Sequence, residues 1–349
     1  MKLLIVCTAS TEIGLGHLVR VRTFIEKIEQ AGYDIQLHLV VVGDSSLKKL
    51  VRNLRCPTTF SRTGADLVSF NDSFDAVVFD SLTLPDEAVL HLKHLSKLTV
   101  SLSPIFSGMR LMDMMVSRTK YSAIKGNDEP PTIYGGLQYT LVQPDCYRID
   151  PSKYLESLSR STLQIAVAMG GGDASNKSLQ IVKALRNLPV PSTIWVMLGE
   201  GYRHSYDDLI DAVEGDSQHE IILAKTNRSL WTILHNCSLL VTTSGITSYE
   251  AAYAGLPSLT FYDSDEYYYL IRELIENEVA VSAGRYNGDN VAALPQLIQQ
   301  LYVNKSRLVN MNKNSHHLID GKAAFRIVDL IQNSLHEKVI TASLSSQTD

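Results

Sequence analysis

The turn Gly14-Leu15-Gly16-His17 joins two segments of different periodicity, and that junction constrains the fold more than any other stretch of the chain. Lys2 to Thr8 (KLLIVCT) is a nearly unbroken apolar run, as expected of a buried strand. Leu18 to Ala31 then places Leu18, Val21, Phe24, Ile25 and Ile28 on one helical face. A glycine turn at such a junction lets backbone approach a ligand closely, and the helix N-terminus favours an anion. His17 falls at the carboxyl end of the strand, where open α/β sheets bind ligands. A side chain that titrates near neutrality is thereby placed beside a phosphate or sugar site, as a candidate base.

The same alternation runs through the chain. Strands are expected at Ile35–Val42, Ala76–Asp80, Leu98–Ser101 and Met114–Ser117, with helices at Ser45–Asn53 and Pro85–Leu95. Gly126 to Tyr147, rich in Pro, Gly, Asp and Asn, reads as a crossing between domains. The pattern then restarts, with strands at Gln164–Met169, Thr193–Leu198, Glu220–Leu223, Leu239–Thr243 and Ser258–Phe261. Helices are expected at Lys177–Leu188, Ser229–Asn236, Ser248–Ala254, Tyr269–Glu276, Val291–Tyr302 and Lys322–Glu337. The implied architecture is α/β: two doubly wound, Rossmann-like domains facing across a cleft. The expected limits are 1–140 for the first domain and 141–340 for the second, final helix included, with 341–349 a disordered tail.

Composition narrows the function. Across 349 residues, 45% are apolar, enough for a core in each half, and the net charge of -5 argues against nucleic acid as a partner. Cys7, Cys56, Cys146 and Cys237 show no CxxC spacing, which fits reduced core thiols rather than a disulfide framework or a zinc site. No apolar run reaches the ~18 residues that span a bilayer. The first apolar run is too short for a signal peptide, so a cytoplasmic protein is expected, with peripheral membrane contact left open.

Two further turns carry chemistry. Met169-Gly170-Gly171-Gly172-Asp173-Ala174-Ser175-Asn176 follows a strand and opens a helix, where backbone N–H groups suit a diphosphate and Asp173 or Ser175 can cap. Neither the GxxxxGK[ST] nor the GxGxxG pattern is present. Thr243-Ser244-Gly245-Ile246-Thr247-Ser248 precedes a short helix, where Ser244, Gly245, Thr247 and Ser248 can donate to phosphate oxygens. Glu250, one turn in, either accepts hydrogen bonds from a ribose diol or is a solvated first-turn acid behind a Thr247 or Ser248 cap. Arg20 shares a helix face with His17 and either orients substrate or pairs with a carboxylate such as Asp80. Asn227, ahead of the Ser229–Asn236 helix, reads as a helix cap in preference to a nucleotide contact.

The segments IGLGHLVRVRTF (Ile13–Phe24), MGGGDASN (Met169–Asn176) and TSGITSYEAAYAGLPSLTF (Thr243–Phe261) together resemble the GT-B group of MurG-type glycosyltransferases. Closer still are the UDP-2,4-diacetamido-2,4,6-trideoxy-β-L-altropyranose hydrolases of pseudaminic acid synthesis. VVFDS (Val77–Ser81), GGLQYTLVQPDCY (Gly135–Tyr147) and DGKAAFRIV (Asp320–Val328) match more weakly, in the same order along the chain.

The resemblance implies that the second domain holds UDP, with Gly170–Asp173 and Ser244–Ser248 on the diphosphate and Glu250 on the ribose. His17 would activate a water or an acceptor hydroxyl, and Gly14, Gly16, Arg20 and Asp80 would line the sugar side. No cofactor or metal is expected, because helix N-termini can hold the charge of the leaving UDP. Two positions depart from the hydrolases: Leu82 stands where a Tyr is usual, and Tyr262-Asp263 where Asn-Gln is frequent. Hydrolysis of the sugar–UDP bond is the first expectation. Transfer to a sugar or lipid-linked acceptor, and nucleotide-sugar binding without catalysis, are the alternatives.

Overall fold

The computed structural model describes residues 1–10, 14–122, 131–214, 218–225 and 229–345. Ile13, part of the Gly126–Tyr147 segment and Asn227 lie outside the described residues. Strands are β1 (Lys2–Ala9), β2 (Gln36–Gly43), β3 (Thr58–Ser61), β4 (Phe74–Asp80), β5 (Ser96–Ser101), β6 (Met114–Ser117), β7 (Thr132–Gly135), β8 (Leu163–Ala168), β9 (Ser192–Leu198), β10 (Glu220–Lys225), β11 (Leu239–Thr243), β12 (Ser258–Tyr262) and β13 (Ala280–Arg285). The first helices are α1 (Gly16–Ala31), α2 (Lys48–Val51), α3 (Asp86–His94), α4 (Pro151–Leu158), α5 (Lys177–Leu185), α6 (Tyr206–Val213) and α7 (Trp231–Leu234). They are followed by α8 (Ile246–Ala254), α9 (Tyr269–Glu276), α10 (Gly288–Ala292), α11 (Leu294–Val303), α12 (Lys305–Ser315) and α13 (Ala323–Ser345).

The chain groups into two compact units. Met1–Ser10, His17–Leu141 and the segment from Gly321 onward form the first; Val142–Asp320 is the body of the second. In the first, a parallel sheet runs β3-β2-β1-β4-β5-β6-β7. Val6 of β1 lies opposite Val40 of β2 and Phe79 of β4, and Leu3 to Cys7 are fully buried. A strand covered on both faces must be apolar at successive positions, which is why β1 reads as a run rather than an alternation. The second sheet, β10-β9-β8-β11-β12-β13, is also parallel, with Val167 of β8 opposite Val196 of β9 and Val241 of β11.

Three strands lie where none was expected. β3 and β7 are only four residues each and β3 lies at a sheet edge, so they show little periodicity, and β7 falls inside the segment read as the crossing. β13 (AVSAGR) is the other edge of its sheet. Helix α4 was unforeseen although Asp150 caps it, accepting from Ser152 N at 2.8 Å, with Pro151 in its first turn.

The last helix is a correction. It groups with the first unit, not with the second domain as expected. Arg326 donates to Gln138 O at 3.1 Å, Lys338 to Lys97 O at 2.8 Å, and the Phe325 ring stacks on Tyr33. The helix also runs to Ser345, so the chain is helical over 341–345 where a disordered tail was expected. Among the described residues, no helix is long and apolar enough to cross a membrane. All four cysteines are unpaired.

Candidate functional site

Both sheets use one strand order. Counted from their own first strands, the second runs 3-2-1-4-5-6 and the first adds a seventh strand to the same series, so the direction of winding reverses between β1 and β4 and again between β8 and β11. The carboxyl ends of the strands at such a reversal form an open crevice, the usual ligand position in doubly wound sheets.

At the first reversal, β1 leads to the N-terminus of α1 and β4 ends on Asp80. His17, Arg20 and Asp80 meet there. His17 Nδ1 is 2.6 Å from Asp80 Oδ1, Arg20 Nε donates to Asp80 Oδ2 at 2.8 Å, and an Arg20 terminal nitrogen contacts both Asp80 Oδ1 and His17 Nδ1. Asp80 is 0% exposed, and His17 and Arg20 are buried on the same helix face as Val21, Phe24 and Ile28. Arg20 therefore pairs with Asp80, one of the two roles its spacing allowed. Burial by itself would raise the Asp80 pKa. The Arg20 and His17 charges and hydrogen bonds outweigh it and hold the carboxyl well below the usual range. Asp80 can only accept, so its 2.6 Å pairing with Nδ1 puts the proton there and leaves Nε2 as the atom that can take one, whereas the Arg20 guanidinium, which can only donate, bonds the same Nδ1 in the opposite tautomer.

Gly14 has a φ of 97°, which only glycine adopts without strain, and Gly16 opens α1. A Cβ on either would meet nothing within 4 Å, so the protein's own packing does not require the missing side chain at Gly16.

At the second reversal, the loop Gly170-Gly171-Gly172 leaves β8 with Gly170 at a φ of 110°. Asp173, read both as a helix cap and as a diphosphate contact, caps α5 here: its two oxygens accept from Lys177 N and Ser178 N, each at 2.8 Å. That carboxylate fills the anion position of α5 with a side chain of the protein. Helix α8 differs. Its N-cap is Gly245, no side chain caps it, and its first turn carries no acid. The hydroxyl of Ser248 donates back to Gly245 O at 2.8 Å, while Ser244 and Thr247 are half-buried at the same turn.

Glu250 is 0% exposed, which removes the solvated reading. Gln143 donates to Oε1 from its backbone N at 3.2 Å and its side chain at 3.0 Å, and Trp231 Nε1 donates to Oε2 at 3.2 Å. Burial pushes its pKa up to about 7 against the pull of these donors.

No family model matches the chain. An uncharacterized protein of Methanocaldococcus jannaschii is 22% identical over 273 residues, 76% of this chain. The chain spans 56% of that relative's length. Solved structures align over nearly the whole chain. MurG of Acinetobacter baumannii superposes with a TM-score of 0.65 at 15% identity, covering 95% of this chain and 100% of that one. HepE of Anabaena, in complex with UDP, gives 0.63 at 14%, covering 99% and 100%. UDP-GlcNAc 2-epimerase of Neisseria meningitidis, bound to UDP-GlcNAc, gives 0.63 at 12%, covering 95% and 100%. The fold is GT-B.

Within this GT-B chain, sequence reasoning passed over residues that support the loops. Gly199 and Gly201, just past β9, back the Gly170–Gly172 turn. A Cβ on Gly199 would lie 2.6 Å from Gly171 Cα, one on Gly201 would lie 3.1 Å from Gly172 Cα, and Gly201 N donates to Gly171 O at 3.1 Å. The Gly-x-Gly after β9 was the available signal. Gln143 and Trp231 gave none, because they reach Glu250 from 107 and 19 residues away. Among the described residues, no three His, Cys, Asp or Glu side chains converge as metal ligands.

Proposed function

We propose that this chain hydrolyses a UDP-linked sugar, with His17 as the base. The observation that carries this reading is the buried Asp80 carboxylate on His17 Nδ1, 2.6 Å away and itself braced by Arg20. Support also comes from the uncapped N-terminus of α8 and from the GT-B neighbours solved with UDP or UDP-GlcNAc.

UDP is held by the second unit. The diphosphate lies on the N–H groups of Gly170–Gly172 and of Ser244–Thr247 at α8, the helix end that no side chain occupies. Asp173 serves as the cap of α5. Glu250 takes the ribose diol, which replaces the Gln143 donors on Oε1. Arg20 and Asp80 fix the imidazole, and the glycines at 14 and 16 leave room for the sugar. His17 Nε2 removes a proton from water as its oxygen attacks the anomeric carbon. The bond from that carbon to the β-phosphate oxygen breaks, and the electron pair leaves with UDP. A positioned base contributes about 10² to 10⁴ in rate. The sugar proposed is the diacetamido-trideoxy altrose of the hydrolases that the motifs resemble.

The test is UDP release from UDP-2,4-diacetamido-2,4,6-trideoxy-β-L-altrose without acceptor, followed by proton NMR. Free sugar and UDP are expected, with the rate reduced about 10³-fold in His17→Ala and the UDP affinity retained. An unchanged rate in that variant removes His17 from the base role. Binding of UDP with no release until an acceptor is added identifies a transferase. An isomerised sugar nucleotide identifies an epimerase.

A further inference from the structure

We propose that Lys177 is a diphosphate-binding cation held in waiting by an internal anion, Asp263, which the β-phosphate of a bound nucleoside diphosphate displaces. The proposal rests on the nucleotide-sugar reading above and adds to it a residue that neither the glycine loop nor α8 supplies. Lys177 is the first residue of α5, and Asp263 follows β12. Their side chains form an ion pair. In the sheet β11 lies between β8 and β12, so the pair spans the carboxyl end of β11, where Ser244 and Gly245 lead into α8.

The two partners differ in burial. The Lys177 side chain is 12% exposed and that of Asp263 is 59% exposed. A half-buried cationic side chain gains from an anion close by, because a charge partly withdrawn from water is costly when alone. The anion that supplies it here is mostly in solvent and loses little by leaving. A second group waits beside the same cation. Lys177 Nζ lies 5.0 Å from the ring centre of Tyr286, whose hydroxyl is buried without a hydrogen-bond partner. Burial first, then Asp173 and Asp263, push that phenol up to about 12, so it is a neutral donor at physiological pH. A phosphate oxygen would accept from the ammonium and the phenol together. The helix dipole of α5 is already answered by Asp173, so α5 contributes to an incoming diphosphate through its lysine.

The experiment is calorimetric titration of the full chain with UDP and with uridine, for the parent, Lys177→Met, Lys177→Arg and Asp263→Asn. Lys177→Met is expected to weaken UDP by about tenfold or more and to leave uridine unchanged. Lys177→Arg is expected to retain most of the UDP affinity. Asp263→Asn removes the competing anion and is expected to tighten UDP several-fold, less so as salt rises, while lowering the melting temperature of the free protein. UDP affinity of Lys177→Met within twofold of the parent overturns the proposal. Asp263→Asn weakening UDP overturns it as well and makes the pair a structural brace. A parent that binds neither UDP nor uridine removes the nucleotide reading and this proposal together, an outcome distinct from the other two.

Discussion

Glu250 shows how one buried group can set a pH dependence. Its pKa is raised from 4.5 to about 7, burial being the larger cause and the Gln143 and Trp231 donors opposing it. Between those two values the native form binds more protons than the unfolded chain, so stability falls as pH rises through that window and levels off above it. At 1.36 kcal/mol per unit the whole effect is about 3 kcal/mol. Glu250→Gln removes the titration but turns an amide donor toward other donors. It is expected to lower stability at pH 5 and to recover against the parent by pH 8, as read from urea midpoints. Parallel pH profiles for the two proteins would refute this. His17 and Arg20 were legible because a glycine turn and a three-residue helix spacing put them on one helix face, and Asp80, 60 residues from Arg20, because it ends a plainly apolar strand that pairs with β1. Glu250 was open between two readings, because its burial is imposed by Gln143 and Trp231 from elsewhere in the chain.

At the scale of elements, α8 depends on how it ends. Gly255 follows it at a φ of 82°, and its N–H donates to Ala251 O at 3.0 Å, closing the last turn. A Cβ there would lie 2.8 Å from Asn312 Nδ2, which donates to Gly255 O at 2.6 Å while Asn312 is buried. Gly255→Ala therefore combines a left-handed backbone, costing about 1 kcal/mol, with displacement of a buried hydrogen bond worth about 1–3 kcal/mol. A loss of about 2–4 kcal/mol in denaturant unfolding is expected, and a loss below 1 kcal/mol would show that Asn312 moves aside freely. The Gly-Leu-Pro stop of this helix was plain in the sequence, as were central strands such as β1 and β11. Edge strands were not: β3 is a four-residue segment paired on one side only, so its composition carries little of the pattern that burial on both faces imposes. α12 (KSRLVNMNKNS) is polar over most of its length, and only Leu308, Met311, Asn312 and Ser315 are buried.

At the scale of the molecule, periodicity shows that a helix has an apolar face but not which sheet receives it. Sequence order suggests the nearest domain, and for α13 that is the wrong one. Its Ala323, Ala324, Ile327, Val328 and Ile331 are buried, and it packs along β5 of the first sheet. Lys338 reaches Asp113 at 3.2 Å in addition to Lys97 O. Removing the chain from Ala323 onward would return three large aliphatic side chains and their partners to water, a loss on the order of 5 kcal/mol at ~1.5–3 kcal/mol each. The loss belongs to the first unit. Hydrogen exchange of the truncated chain is expected to show faster exchange in β5 and around Gln138, with β8 and β11 as protected as in the full chain. Exchange that accelerates first in β8 and β11 would mean that α13 supports the second sheet, and that the chain is not divided as its packing indicates.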